Sequence, residues 1–332
     1  MREKIQALIP ENFSGCVLIT KGAQTLFEGA YGFADMANER RNTLRTRFPT
    51  ASAGKAFVAA GILRLAEEGR LSLDASIGEC LPLDWGAIDA SITVRELLTH
   101  TSGIPDYFDE SVMDDYAGLW RDFPNYRIRS SRDLLPLFLH KPMAFPRGER
   151  FQYNNAGFVV LGLLIEQSTG LAFDTYLRGA VFAPCGMKDT GYFEMDRLPA
   201  RCANAYCFDA QRSEYYTNIY SVDAKGTGAG GAFTTVLDVR RFWEGLYGGR
   251  ILSRETLVEM TSLHAGDGRE FYGYGMWLER SPEGLTPYFE GLDPGVSFLS
   301  KRYRDGTIVT AVSNLEQNVW QLVREIAPVL KP

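Results

Sequence analysis

Strand-like alternation at both ends of the chain, around a middle of helical periodicity, most restricts how these 332 residues can fold. Near the start, "GCVLITKGAQTLFEGAYGFAD" predicts two strands joined by a turn at Lys21-Gly22. Near the end, "YGYGMWLER", "TPYFEGL" and "GVSFLSKRYRDGTIVTAVSN" alternate again, the last being a hairpin about Asp305-Gly306. Between them, "TVRELLTH", "SSRDLLPLFLH", "NNAGFVVLGLLIEQSTG" and "AFDTYLRGAVFAP" carry helical patterns separated by Gly- and Pro-bearing loops. "TTVLDVRRFWEGLYGG" predicts one more helix, and "NVWQLVREIAPVL" closes the chain as another. The expected fold is α/β (α+β): one antiparallel sheet built from both chain ends, flanked by helices, with a mostly helical insert. We expect residues 1–79 and 201–332 to form the discontinuous sheet domain and 80–200 the helical region, together one working unit.

Composition narrows the function classes. A formal net charge of -6 argues against nucleic-acid binding, which needs a basic surface. The five cysteines (Cys16, Cys80, Cys185, Cys202, Cys207) are scattered, and no His lies close to a Cys pair, so no metal site is expected. The pattern suits a reducing compartment. "MREKIQALIPENFSGCVLIT" reads as a short amphipathic helix rather than a signal peptide. No stretch approaches the roughly 20 apolar residues of a membrane span. A cytoplasmic location and a small-molecule substrate are the expectations. "GTGAGG" (Gly226 to Gly231) matches G-x-G-x-x-G, but it follows the polar "NIYSVDAKGT" instead of closing an apolar strand. It predicts a close backbone approach, and no cofactor is expected.

Two short patterns carry chemistry. In "FPTASAGKAFVAAGILRLAEEGR", Pro49 imposes extended entry, Thr50 or Ser52 can cap, and Phe57, Ile62, Leu65 and Ala66 form one stripe. Ser52 and Lys55 stand one turn apart at the mouth of that helix. A helix N-terminus favours developing negative charge, and burial lowers an ammonium pKa toward that of a working base. Taken alone, the pair is as readily a serine cap with a solvated lysine. In "FQYNNAGFVVLG", Tyr153 and Asn155 stand where a Pro/Gly loop meets a helix. A tyrosine near a lysine can relay protons, and an asparagine amide can orient both the lysine and a substrate. Alone, this too reads as a packed tyrosine beside an asparagine cap.

Together the two patterns resemble the serine β-lactamase and penicillin-binding protein superfamily. The likeness is to its class C β-lactamase-like branch, with D-alanyl-D-alanine carboxypeptidases and related esterases. "FSGCVLITKG", "RFPTASAGKAFVAAGILRLAEEGRLSLD", "ITVRELLTHTSGIP", "FPRGERFQYNNAGFVVLG", "APCGMKDTGY", "GAGGAFTTVLDVRRF" and "YGYGMWL" follow that family's order over nearly the whole chain. The resemblance implies an acyl-enzyme on Ser52, with Lys55 and Tyr153 sharing its proton and Asn155 holding Lys55 and the substrate. It implies an oxyanion site between the backbone N–H groups of Ser52 and Leu292.

The third family motif, Lys-Thr-Gly or His-x-Gly, is altered. In "PYFEGLDPGVSF", Gly291 and the Pro294-Gly295 step align, which sets Phe289 at the cation's position and Glu290 at the hydroxyl's. We expect Phe289, Glu290, Gly291 and Leu292 to meet the substrate. Losing a charge-assisted hydrogen bond worth about 1.5–3 kcal/mol weakens carboxylate binding by one or two decades. The expected activity is therefore hydrolysis of a small ester or amide lacking the usual carboxylate. An amine-bearing substrate attracted by Glu290 is a less supported variant. The alternatives are a β-lactamase or D,D-carboxypeptidase/penicillin-binding protein, and a non-catalytic binding or sensing protein on the same fold.

Overall fold

Both predicted hairpins form, and each turns on glycine. Strands β1 (Gly15–Lys21) and β2 (Gln24–Tyr31) meet at Gly22, φ +54°. In the computed structural model, which describes residues 1–330, the late part of the chain adds six strands. These are β3 (Ala265–Gly266), β4 (Phe271–Tyr272), β5 (Trp277–Ser281), β6 (Gly284–Asp293), β7 (Val296–Arg302) and β8 (Thr307–Ser313). At the β7–β8 turn Asp305 accepts from the Thr307 N–H at 3.0 Å, and Gly306 takes φ +86°. The order across the sheet is β2-β1-β8-β7-β6-β5-β4-β3. Antiparallel pairing of β1 with β8, from Gly15 opposite Ser313 to Lys21 opposite Thr307, joins the two chain ends.

Period-2 alternation assigns the two faces. Cys16, Leu18, Phe289, Phe298, Ile308 and Val312 enter the larger core, while Val17, Ile19, Leu299, Val309 and Ala311 enter a smaller one. The main helices are α1 (Arg2–Leu8), α2 (Lys55–Glu67), α3 (Asn155–Thr169), α4 (Val236–Tyr247) and α5 (Val319–Leu330). Helices α1 and α5 cover the smaller core. Helix α5 offers it Val319, Leu322, Val323 and Ile326, a helical stripe at i, i+3, i+4 and i+7. Helices α2 and α4 lie on the opposite face, and α3 packs behind α2.

The local expectations around α2 need correction. The structure buries α2 all round from Lys55 to Leu63 rather than along one stripe, because it lies between the sheet and α3. Ala66 is only partly buried. Small residues allow this packing: a Cβ on Gly61 would stand 2.5 Å from Leu177 Cδ2. Extended Phe48–Pro49 pairs with Phe233–Thr234. Neither Thr50 nor Ser52 caps the helix; the chain enters α2 through a 3₁₀ turn, Ala51–Gly54. At α3 the cap is Asn154, whose side chain accepts from the Gly157 N–H at 2.7 Å. Asn155 is thereby freed for other contacts. The expected helix in "SSRDLLPLFLH" is a 3₁₀ segment, Ser131–Leu137, with Pro136 inside it. All five cysteines are free thiols. Among the described residues no single helix is long and apolar enough to cross a membrane.

Candidate active site

The site begins with a strained turn. Ala51, directly before Ser52, has φ +47°, a left-handed conformation that costs a residue with a Cβ about 1–3 kcal/mol. The glycine loop supports it: Gly231 N–H donates to the Ala51 carbonyl at 3.0 Å. A Cβ on Gly230 would stand 2.5 Å from that same oxygen, and one on Gly228 would stand 2.1 Å from the Phe158 carbonyl of α3. The close approach expected of "GTGAGG" is thus to the Ser52 turn and to α3.

One turn on, Lys55 is 2% exposed. Its Nζ donates to Ser52 Oγ at 3.0 Å, Asn155 Oδ1 at 2.7 Å and the Ala229 carbonyl at 2.6 Å. Three protons meet three acceptors. Burial lowers its pKa to about 8, against the pull of Glu110, Asp106 and Asp293. Asn155 is held in turn: its Nδ2 donates to the Phe108 carbonyl and to Glu110 Oε1, each at 3.3 Å. Asp106 accepts the N–H groups of Asn155 and Ala156 at 2.6 and 3.0 Å, which anchors the start of α3.

The Tyr153 hydroxyl hydrogen-bonds the Ser52 side chain, and Lys55 Nζ lies 4.8 Å from its ring centroid. Burial pushes the phenol well above its ordinary value, with Glu110 and Tyr272 adding to the rise. Its ring stacks on Trp277, centroids 5.5 Å apart, and packs 4.5 Å from the His100 ring. His100 Nδ1 accepts from the Asn154 N–H at 3.1 Å, so the ring proton sits on Nε2. Burial and Lys55 hold this imidazole neutral.

Strand β6 closes the other side. Strand β5 pairs with it only from Gly284 to Tyr288, so residues 289–293 turn an open edge toward the Ser52 turn. A Cβ on Gly291 would stand 2.3 Å from the Thr50 carbonyl and 2.7 Å from the Ser52 N, so only glycine admits this approach. The structure moves the neighbouring pair out of the role expected of it. Phe289 is 2% exposed and packs among Phe57, Phe242, Trp243 and Phe298. Burying such a ring is worth about 1.5–3 kcal/mol, so the position serves the core. Glu290 points to the opposite face of the sheet, where it accepts from Trp320 Nε1 of α5. Neither residue lines the cavity beside Ser52, whereas Leu292 does.

That cavity has a volume of about 580 Å³ and contains Ser52, Asn155 and Leu292 in its wall. The sequence reading missed what else lines it. Glu110, Asp223 and Asp293 face it, and its lining includes no Lys, Arg or His. Burial raises the Asp223 and Asp293 carboxyls, and Asp223 raises Asp293 further. Also missed were the Ala229 carbonyl on Lys55 and the His100 ring beneath Tyr153. A cluster drawn from residues 110, 223 and 293 leaves no local spacing to read.

An antiparallel sheet with a Ser-x-x-Lys turn between its open strand edge and a Tyr-x-Asn helix start defines a serine hydrolase of the β-lactamase and penicillin-binding protein superfamily. The chain belongs to the β-lactamase family, whose model matches residues 9–324. It is 29% identical to penicillin-binding protein 4* of Bacillus subtilis (strain 168) over 88% of its length, and spans 66% of that protein. Among solved structures, a penicillin-binding protein from Bacillus halodurans matches with a TM-score of 0.92 at 36% identity, covering 99% of each chain. A D-amino acid amidase from Ochrobactrum anthropi SV3 shares the fold, with a TM-score of 0.79 at 23% identity over 98% of this chain and 97% of that one.

Proposed function

We propose that this protein hydrolyses esters or amides through an acyl-enzyme on Ser52, and that its substrates lack a carboxylate beside the scissile bond. The observation that carries the reading is the hydrogen-bonded group of Ser52, Lys55 and Asn155 at the wall of a 580 Å³ cavity. With a pKa of about 8, Lys55 is neutral in roughly a tenth of molecules at pH 7. In that form its lone pair takes the Ser52 proton across the 3.0 Å contact. Tyr153, held far above its ordinary pKa, is a poor phenolate base and acts as the relay.

The steps balance as follows. Ser52 Oγ bonds to the substrate carbonyl carbon while its proton passes to Lys55. The oxyanion sits between the N–H groups of Ser52 and Leu292. The bond to the leaving group breaks as that oxygen or nitrogen takes the proton, carried from Lys55 through Tyr153. A water then gives its proton to Lys55 and attacks the acyl carbon. Oγ departs, recovers that proton, and the acid is released. Against a carboxylate-bearing substrate stand the acidic cavity and the core position of Phe289.

The names of the two Bacillus relatives favour a second reading, acylation by penicillins. One experiment separates the two: intact mass and hydrolysis rate with a neutral phenyl ester and with benzylpenicillin, in wild type and Ser52→Ala. Ester turnover that requires Ser52, with little penicillin adduct, is the expected result. A stable penicillin adduct on Ser52 would establish the second reading in its place.

A further inference from the structure

We infer that the cavity beside Ser52 selects an acyl group bearing an ammonium, which Asp223, Asp293 and Asn218 receive. The inference rests on the hydrolase reading above and adds its substrate class.

The cavity wall contains six carboxylate residues and no basic side chain. Several of those carboxylates are already engaged. Asp115 pairs with Arg121 at 2.7 Å, Glu316 accepts from the Gly295 N–H at 3.3 Å, and Glu110 accepts from Asn155. Two are not. Asp223 accepts from the Tyr116 hydroxyl at 3.2 Å and otherwise only from its own backbone. Asp293 accepts from no protein donor among the described residues. Lys55 cannot serve either, since its three protons are already placed on Ser52, Asn155 and Ala229.

An independent observation points the same way. Asn218 is 3% exposed and lines the same cavity. Its Nδ2 donates to the Pro294 carbonyl at 2.8 Å, which fixes the amide's orientation, because the flipped form would set oxygen against oxygen. Its Oδ1 is then buried without a partner. A buried acceptor left unmade is costly, and native chains rarely keep one without a use. Two under-partnered carboxylates and an asparagine with an orphan amide oxygen therefore line one cavity, with Asn218 bonded to the Asp293-Pro294 step. What completes them is a compact group with several N–H donors and a positive charge. An ammonium has three donors and no acceptor.

The position along β6 says which part of the substrate carries it. Tyr153, the leaving-group relay, stacks on Trp277, which pairs with Tyr288. Asp293 lies five residues further along the same strand, roughly 17 Å at strand rise. It directly follows Leu292, the assigned oxyanion donor. The leaving group thus departs toward the Tyr288 end, and the acyl group extends toward Asp293. Glu290 has no part in this, since it is bound to Trp320 on the far face.

Three phenyl esters test the inference at pH 7: those of glycine, propionic acid and malonic acid. They place an ammonium, a methyl group or a carboxylate on the same carbon. For the wild type we expect kcat/KM for the glycine ester to exceed that for the propionate by at least about tenfold, with the malonate poorest. In Asp293→Asn and in Asp223→Asn the glycine-to-propionate ratio falls toward one. A wild-type ratio at or below one overturns the inference while Ser52-dependent propionate turnover keeps the hydrolase reading. If no ester is turned over and a fluorophosphonate fails to label Ser52, both fall together. Because the wild-type ratio decides by itself, poor folding of either variant does not remove the test.

Discussion

The two sides of Ser52 treat polar groups in opposite ways. Toward α2 and α3, Lys55 is buried with each proton placed, and Asn155 uses both ends of its amide. Toward the end of β6, Asp223 and Asp293 share a cavity with little to bind them, and Asn218 keeps an acceptor unpaired. Such a satisfied network is rigid and suits a step that needs fixed geometry. An unsatisfied wall is costly to the fold and suits a group that arrives with the substrate. Chemistry and recognition are thus separated across one serine.

The sharpest way to break the satisfied side is to remove its centre. Ser52→Ala and Lys55→Ala should each lower kcat/KM for phenyl propionate by at least about 10³-fold, read by phenol release, with far-UV circular dichroism unchanged. Next comes Gly291→Ala. Its Cβ meets the Thr50 carbonyl and the Ser52 N–H, so the β6 edge must retreat from the nucleophile turn. A fall in kcat of about 10²-fold with the fold retained is expected, and near-wild-type kcat would contradict the close approach.

The pH profile has a smaller effect and a definite sign. Lys55 must be neutral to accept the Ser52 proton, and its pKa is lowered to about 8. For the neutral ester, kcat/KM should therefore climb about tenfold per unit below pH 8 and level above it. A profile flat from pH 6 to 9 would exclude Lys55 as the base.

The smallest effect sharpens the other side. Burial raises Asp223 to about 7 and Asp293 to about 8, from the ordinary 3.8. The folded chain therefore holds protons that the unfolded chain has released, and stability falls as pH rises from about 4 to about 8. Asp293→Asn removes that penalty, so at pH 8 its Tm should rise by about 1–3 °C even as ammonium selection is lost. A lower Tm at pH 8 would mean that the carboxylate is supported in the free protein.

What the sequence made legible was set by local rules. The β1–β2 and β7–β8 hairpins follow from alternation and their glycine turns. Ser52 with Lys55, and Tyr153 with Asn155, lie three and two residues apart, and the fold brings the two pairs into contact. Gly291 stands out in the sequence because the close backbone approach it makes to the Ser52 turn tolerates no other residue. Phe289 and Glu290 are assigned to the substrate by alignment with the third motif, and strand alternation does not say which face meets Ser52. The packing of α2 and α4 against one face decides that, and it draws Phe289 into the core. Asp223, Asp293 and Asn218 left no signal, since isolated polar residues are ordinarily solvated.

The most direct test of the acyl-enzyme account is intact-mass analysis during turnover of phenyl propionate, followed by peptide mapping. The account predicts one propionyl group on the peptide holding Ser52, and none in Ser52→Ala. Turnover that survives Ser52→Ala, or an adduct on another residue, would contradict it.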